Sequence, residues 1–148
     1  MSKRVLVLIK PDGMHKNLVG NVINKFTASD LRLVGLKIVK VSQSRAEAHY
    51  ALLAKQPFFA GIVNYLTGKY HGGQPVVAMV LDGHGAVAKC RAIAGATNPE
   101  EAHPKSVRGA WGRITTKGLW ENLVHVSSDD KEARREIALW FKKNELLT

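Results

Sequence analysis

Residues 76–94 read VVAMVLDGHGAVAKCRAIA, and this stretch decides the fold class. Residues 76–81 are an unbroken apolar run, which predicts a buried strand. Gly83 and Gly85 predict a tight turn, and residues 86–94 predict a helix directly after it. A buried strand that passes through a tight turn into a helix is typical of folds in which helices cover a sheet.

The residues before this unit also alternate between strand and helix patterns. They predict, in order, a strand, a one-sided helix, a second strand, two short helices and a glycine-rich loop: residues 4–10, 17–29, 31–41, 44–53, 58–66 and 68–75. Asn17 is the predicted cap of the one-sided helix. Ser44 and Glu47 have the spacing of a capping box, which predicts the start of the next helix.

The residues after the unit contain a long irregular segment, a last strand and a last helix. Residues 97–121 show no sustained periodicity, which predicts a functional or interface loop. Residues 122–126 predict a fourth strand, and Asp129 with Glu132 predicts the start of the last helix. The predicted buried stripe of that helix has four members: Ala133, Ile137, Trp140 and Phe141. This order of elements predicts an α+β fold, a ferredoxin-like sandwich with a four-stranded antiparallel sheet and helices packed on it.

Composition limits what the 148 residues can do. The length fits one domain over residues 1–148, and no apolar run approaches the roughly 18 residues of a membrane span. The N-terminal apolar stretch stops at Lys10, so we expect no export signal. The single cysteine, Cys90, has no internal disulfide partner, and we expect a reducing, cytoplasmic location. A formal net charge of +10 favours anionic partners, or is a solvated surface that aids solubility.

Familiar phosphate-binding and metal-binding patterns are absent or misleading. The sequence contains no P-loop. Residues 83–88 match the dinucleotide pattern G-x-G-x-x-A, but no acidic residue follows at a strand end about 20 positions later, so a tight turn is the better interpretation. The six histidines do not have the spacing of metal ligands, and we expect no metal held by the protein itself.

One histidine, His125, has a distinctive position. It lies in the fourth predicted strand, directly before a capped helix, and helix N-termini bind anions. Glu136 falls beside the buried stripe of that helix, where a carboxylate needs a partner. A ring nitrogen of His125 is one such partner, and the pairing would leave the other nitrogen as a nucleophile. An ordinary surface pairing of Glu136 with lysine or arginine is the alternative.

Eight segments of the chain, taken in order, resemble nucleoside diphosphate kinases. They cover nearly the whole sequence: Leu8-Ile9-Lys10-Pro11-Asp12-Gly13, His49-Tyr50, Pro57-Phe58-Phe59, Pro75-Val76-Val77-Ala78-Met79-Val80, Gly95-Ala96-Thr97-Asn98-Pro99, Val107-Arg108-Gly109, Asn122-Leu123-Val124-His125 and Glu136-Ile137-Ala138-Leu139-Trp140-Phe141. The resemblance implies a ping-pong reaction, in which a histidine takes the γ-phosphoryl group of a nucleoside triphosphate and passes it to a nucleoside diphosphate.

The resemblance implies catalytic roles residue by residue. His125 matches the nucleophile of the family. Glu136 matches the residue that orients the nucleophile, with Ser127 as a supporting hydroxyl. Tyr50 matches a residue that hydrogen-bonds near the transferred phosphoryl group.

The resemblance also implies the nucleotide-binding residues. The phosphate ligands are three: Arg91, Thr97 and Arg108. Lys10 and Asn122 match residues that meet the ribose hydroxyls, and Lys10 also reaches the phosphate end. Phe58 matches the aromatic residue on which the base stacks, with Ile62 beside it. Stacking without hydrogen bonds to base edges implies broad base specificity.

The chain departs from the family pattern near the nucleophile and in two loops. The family follows its histidine with Gly-Ser-Asp-Ser, whereas this chain has Val126-Ser127-Ser128-Asp129, which implies a lower rate or an altered phosphohistidine geometry. After Arg108-Gly109 the family's acidic and aromatic pair is replaced by Ala110-Trp111. Residues 67–74 and 109–121 are lengthened, and the second change leaves two candidates for the residue that faces Phe58 across the base: Ile114 and Leu119.

The resemblance implies partners as well. These are nucleoside di- and triphosphates, Mg²⁺ that arrives on the nucleotide, and a homo-oligomer, with a hexamer favoured and a dimer or tetramer open. No membrane partner is expected, and no motif supports nucleic acid.

Three other classes of function stay open. An RNA-binding module would show steep salt dependence without nucleotide turnover. A nucleotide sensor or scaffold would bind nucleotide without forming a phosphoenzyme. A structural assembly protein fits least, because it needs no such set of basic residues around His125.

Overall fold

The computed structural model describes residues 3–148. Met1 and Ser2 belong to the N-terminal stretch in which we expect no export signal, and they lie outside the described residues. The elements run in this order: β1 (Arg4–Ile9), α1 (Pro11–His15), α2 (Val19–Thr27), β2 (Arg32–Val39), α3 (Gln43–His49), α4 (Phe59–Leu66), β3 (Val76–Asp82), α5 (Ala86–Ala94), α6 (Val107–Trp111), β4 (Arg113–Ile114), β5 (Trp120–Glu121), β6 (Val124–Val126) and α7 (Asp130–Trp140). Short 3₁₀ turns cover Ala51–Leu53 and Lys143–Glu145.

Four strands form one antiparallel sheet in the order β2-β3-β1-β6. This confirms the predicted ferredoxin-like arrangement. The central strand β1 is apolar from Val5 to Ile9 because both of its faces are covered. Val5, Val7 and Ile9 pack with α2 and α5, whereas Leu6 and Leu8 pack with α3, α4 and the end of α7. Among the described residues, no helix is long and apolar enough to cross a bilayer.

The structure confirms the strand, turn and helix predicted for residues 76–94 and the predicted start of the last helix. β3, the turn at Gly83–Gly85 and α5 lie where the sequence predicts them. Asp129 caps α7, since its carboxylate accepts a hydrogen bond of 2.8 Å from the Glu132 amide. Phe141 is buried as predicted but lies beyond the end of the helix.

The N-terminal caps predicted for α2 and α3 are wrong. Asn17 has a left-handed φ of +58°, which an asparagine tolerates in a turn, and Leu18 occupies the cap of α2. Ser42, which is extended, caps α3 by accepting a hydrogen bond from the Arg45 amide, so the helix starts before Ser44. Pro11-Asp12-Gly13 predicts a turn after the first strand, but these residues lie in the short helix α1, with proline at its start.

Residues 97–121 are more ordered than the predicted loop. They contain α6 and a two-stranded hairpin, in which Arg113 pairs with Glu121 and Ile114 with Trp120. A five-residue helix and two-residue strands are too short to show a hydrophobic period. The predicted fourth strand is shorter than expected, because Leu123 has a φ of +64° and pairing starts at Val124.

Candidate active site

His125 lies in β6 opposite Leu8 of β1. The backbone amide of Lys10, just beyond β1, donates to the Leu123 carbonyl at 2.7 Å, which fixes the start of β6 against the end of β1. The topology therefore brings Lys10, Asn122 and His125 to one place, although the chain separates Lys10 widely from the other two.

A chain of hydrogen bonds holds the His125 ring. Its Nε2 lies 2.9 Å from Glu136 Oε2, and the same oxygen accepts a 2.7 Å hydrogen bond from the Ser127 hydroxyl. The Ser127 hydroxyl also accepts from the Leu6 amide at 3.2 Å, so β1 anchors the chain. Ser127 and Glu136 are buried. The carboxylate and the hydroxyl thus present one fixed acceptor to one nitrogen of the ring.

This network determines the form of the imidazole. Burial, followed by the positive charges of Lys10 and Arg108, lowers the pKa of His125 well below its ordinary value. Burial raises the pKa of Glu136 above that of a free glutamate. A neutral ring that donates Nε2–H to Glu136 keeps its lone pair on Nδ1. The arrangement leaves Nδ1 as the basic and nucleophilic nitrogen.

A second histidine, His49, packs edge-on against His125 with ring centroids 4.3 Å apart. His49 Nδ1 accepts a 3.1 Å hydrogen bond from Trp140 Nε1, so the proton of this neutral ring sits on Nε2. Burial, with the nearby His125, lowers the pKa of His49 to about 2. Arg135 holds the end of α3 in place by donating to the carbonyls of Ala48 and His49.

His49, His125 and Glu136 bring ligand atoms within 4.8 Å of one another, which the spacing of the histidines along the chain does not predict. A metal on His49 Nε2 would require the proton on Nδ1, where Trp140 already donates. The donor set therefore suits two neutral imidazoles that pack edge-on, one hydrogen-bonded to Trp140 and the other to Glu136, better than a resident ion.

Lys10 is a buried cation at the edge of the site. Its Nζ donates to Asn122 Oδ1 at 2.8 Å and lies 4.8 Å from the centre of the Tyr65 ring. Asn122 Nδ2 in turn donates to the Thr97 carbonyl at 3.0 Å. Burial and the charge of Arg108 lower the pKa of Lys10 to about 7, so the ammonium titrates in the neutral range.

Arg108 comes from α6 and connects three segments. Its guanidinium donates to the carbonyls of Gly95, Asn122 and Val124 at 2.9, 3.3 and 2.7 Å. A guanidinium has five N–H groups, so donors remain for a ligand. Burial and the nearby charge of Arg91 lower the pKa of Arg108 to about 10, and the residue is still a cation at neutral pH.

The far end of the site is apolar. Phe58, the cap residue of α4, is 51% exposed, and Ile62 lies one turn further along that helix. Leu119 and Trp120 of the hairpin line the same cavity. Of the two candidates for the residue facing Phe58, the structure places Leu119 in the lining, whereas Ile114 is not part of it.

One cavity of about 940 Å³ collects nearly all residues that the sequence singled out. Besides His125, its lining includes Lys10, Tyr50, Phe58, Ile62, Arg91, Thr97, Arg108, Asn122, Ser128 and Glu136. Ser127 lies behind Glu136, out of the lining.

His49 and Arg135 also line the cavity although the sequence analysis did not name them for the site, because only the packing of α3 against α7 brings them there. With Arg135 the cavity has more lysine and arginine side chains than carboxylates, which are Glu132 and Glu136. A lining with this surplus of positive charge suits phosphate groups that bring their own Mg²⁺.

Comparison with known proteins identifies the relatives of this chain. The family model described as nucleoside diphosphate kinase matches residues 3–146. A nucleoside diphosphate kinase of Synechococcus sp. (strain JA-3-3Ab) is 45% identical over 98% of this chain and 91% of its own length. One from Thermus thermophilus is 43% identical over 98% of this chain and 99% of its own length.

Solved structures have the same fold. A halophilic nucleoside diphosphate kinase from Halobacterium salinarum in complex with CDP has a TM-score of 0.89 and 35% identity, covering 100% of this chain and 93% of its own. A transition state mimic of the Borrelia burgdorferi enzyme with vanadate and ADP has a TM-score of 0.87 and 29% identity, covering 98% and 90%.

Proposed function

Because this chain belongs to the nucleoside diphosphate kinase family of enzymes, we propose that it transfers the γ-phosphoryl group of a nucleoside triphosphate to a nucleoside diphosphate through a phosphohistidine on His125. The observation that carries the proposal is the hydrogen bond between His125 Nε2 and Glu136, inside a cavity lined by lysine and arginine side chains. That bond leaves Nδ1 as the nucleophile.

The two half-reactions balance without another reactant. In the first, the Nδ1 lone pair attacks the γ-phosphorus, the bond to the β,γ-bridging oxygen breaks, and a nucleoside diphosphate leaves. In the second, the terminal phosphate oxygen of an acceptor diphosphate attacks the same phosphorus and the N–P bond breaks. Glu136 stabilises the positive charge that develops on the ring during attack.

The cations balance charge on the phosphates. Arg91 and Arg108 provide guanidinium groups for the phosphoryl oxygens, and Thr97 provides a hydroxyl. Lys10 and Asn122, already hydrogen-bonded to each other, meet the ribose hydroxyls, with the Lys10 ammonium also at the phosphate end. Mg²⁺ enters as the counter-ion of the nucleotide phosphates.

A tyrosine hydroxyl and an aromatic ring complete the nucleotide site. The Tyr50 hydroxyl, whose pKa burial raises, stays protonated and donates near the transferred phosphoryl group. The base stacks on Phe58 beside Ile62, with Leu119 as the hairpin residue that faces it. Stacking on an apolar surface favours broad base specificity.

The proposal includes three further points. Residues 1–148 form one domain of this family, the protein is cytoplasmic, and it assembles as a homo-oligomer. A hexamer is the favoured form.

Val126, which pairs with Val7, and Ser128 in the cavity lining replace the glycine and the acidic residue of the family pattern. A lower rate of phosphoryl transfer is the expected consequence.

The test is intact-mass measurement after mixing the protein with Mg·ATP and no acceptor. We expect one phosphoryl group on the wild type, none on His125→Ala, and loss of the group when GDP or CDP is added. A wild type that binds ATP without gaining mass would favour the nucleotide sensor or scaffold instead.

A matched control is His103→Ala, an exposed histidine outside the cavity lining. It should gain and lose the phosphoryl group as the wild type does. Mass gain that persists in His125→Ala would place the phosphoryl group elsewhere.

A further inference from the structure

The two lengthened segments of the chain meet at one buried carboxylate, Glu121. Its Oε2 lies 2.9 Å from Lys16 Nζ and 3.0 Å from Arg113 Nε. Its Oε1 lies 3.2 Å from His71 Nε2. Lys16 lies between α1 and α2, His71 belongs to the lengthened 67–74 segment, and Arg113 is the cross-strand partner of Glu121 in the hairpin.

Glu121 is ionised in this setting. Burial alone would raise its pKa, but hydrogen bonds from Arg113, Lys16 and His71 outweigh burial and hold the pKa at about 2. Charge-assisted hydrogen bonds are directional and stronger than those between neutral groups. The carboxylate therefore ties the hairpin to two other parts of the chain.

The hairpin needs such an anchor because its strands have only two residues each. An isolated two-stranded hairpin is marginally stable in water. In its turn, the Thr115 hydroxyl accepts a hydrogen bond from the Leu119 amide, and Gly118 adopts a left-handed φ of +80°. The residues that follow this turn, Leu119 and Trp120, line the nucleotide cavity.

We propose that Glu121 is a positioning residue for the nucleoside: it anchors the hairpin so that Leu119 and Trp120 form a fixed wall where the base enters. This inference rests on the proposed function of the cavity. Within the described part of the chain, the hydrogen bonds and ion pairs of the Glu121 carboxylate do not involve the phosphate-binding arginines. The anchor therefore acts on the nucleoside part of the ligand.

Calorimetric titration with ADP and with inorganic pyrophosphate tests the proposal. In Glu121→Gln, we expect ADP to bind about fivefold more weakly, while pyrophosphate binds as it does to the wild type. Glu101→Gln, which changes an exposed carboxylate outside the cavity lining, is the control and should bind both ligands unchanged.

A second variant, Lys16→Met, removes one tie and keeps the Arg113–Glu121 pair within the hairpin. It should weaken the binding of ADP but not of pyrophosphate, and by less than Glu121→Gln does. If Glu121→Gln does not fold, the Lys16→Met variant tests the proposal in its place. Equal weakening of ADP and pyrophosphate in both variants, or of neither, would overturn the proposal. These titrations measure binding and do not require turnover. A wild type that forms no phosphoenzyme would therefore refute the proposed function, but the ADP and pyrophosphate affinities of the variants could still be compared.

Discussion

The two ends of the cavity around His125 are built in different ways. At the His125 end, side chains from β6, α7 and the end of β1 are joined by hydrogen bonds of 2.7–2.9 Å. At the Phe58 end, a helix cap and a hairpin tip provide apolar side chains that stay partly in water, with Phe58 51% and Trp120 43% exposed.

The difference teaches where geometry has to be fixed. Bond formation requires the reacting atoms to be held within about 0.5 Å of the productive geometry. Buried side chains that each make two hydrogen bonds provide this precision. Stacking of a flat ring tolerates displacement, so an exposed aromatic side chain is sufficient. Substitutions in the hydrogen-bonded chain of His125, Glu136 and Ser127 should therefore change rates, whereas substitutions at the Phe58 end should change affinities.

Glu136→Ala should have the largest effect. Removing the acceptor of His125 Nε2–H frees the ring and its tautomer, and we expect phosphoenzyme formation to slow about a hundredfold. Rapid-quench measurement at saturating Mg·ATP gives this rate. The affinity for ADP should stay close to that of the wild type, and a large loss of ADP affinity with an unchanged rate would contradict the division between the two ends.

The pH dependence of nucleotide binding comes next. The Lys10 ammonium, with its pKa near 7, is charged below that pH and neutral above it, and phosphate binding favours the charged form. ADP affinity should therefore fall as pH rises above 7, by at most about tenfold per unit from this group. Titrations from pH 6 to 9 measure the slope. Lys10→Met should bind more weakly throughout and show a flatter profile, whereas an unchanged slope would assign the titration to another group.

Phe58→Ala should have a smaller effect, confined to binding. Loss of a half-exposed stacking surface is expected to weaken ADP about fivefold, at the low end of base–aromatic stacking energies. Phosphoenzyme formation at saturating Mg·ATP should be unchanged. Similar losses for GDP and CDP would fit stacking, and a loss for one base alone would point to a hydrogen-bonded contact.

The last prediction concerns stability rather than activity. His49 is neutral in the folded protein, with a pKa of about 2, but binds a proton in the unfolded chain below pH 6.5. The unfolded state therefore binds more protons as pH falls, and His49 should lower the free energy of unfolding by about 1.4 kcal/mol per pH unit below 6.5. Urea titrations at pH 5.0 to 7.5 measure it. His49→Asn should have a shallower slope, and equal slopes would show that His49 is protonated in the folded state.

The predictable parts of the molecule are those fixed by neighbours in sequence. The bounds of α5 match the prediction, because the apolar run, the glycine turn and the helix follow one another directly. The cap of α7 depends only on Asp129 and Glu132. The cap of α3 is predicted at Ser44 but lies at Ser42, since the position depends on which serine the preceding strand leaves extended.

The candidate site also has parts that the sequence predicts and parts that it does not. The residues that the resemblance named converge on one cavity, because its motifs cover most of the lining. The His49–His125 contact and the Glu121 anchor depend on residues far apart in the chain, and no spacing in the sequence indicates either. The sequence predicts that segments 67–74 and 109–121 are longer than the family pattern, but their meeting at Glu121 is a property of the fold.

The three carbonyls that Arg108 holds have a consequence for how this molecule opens. Gly95, Asn122 and Val124 belong to the loop after α5, the end of the hairpin segment and β6, so these pieces cannot separate without breaking bonds to one guanidinium. In hydrogen-exchange terms, we expect the amides around the three carbonyls to share a single opening free energy, as one cooperative unit. Under the proposed function, the same arginine links the local stability of this region to phosphate binding.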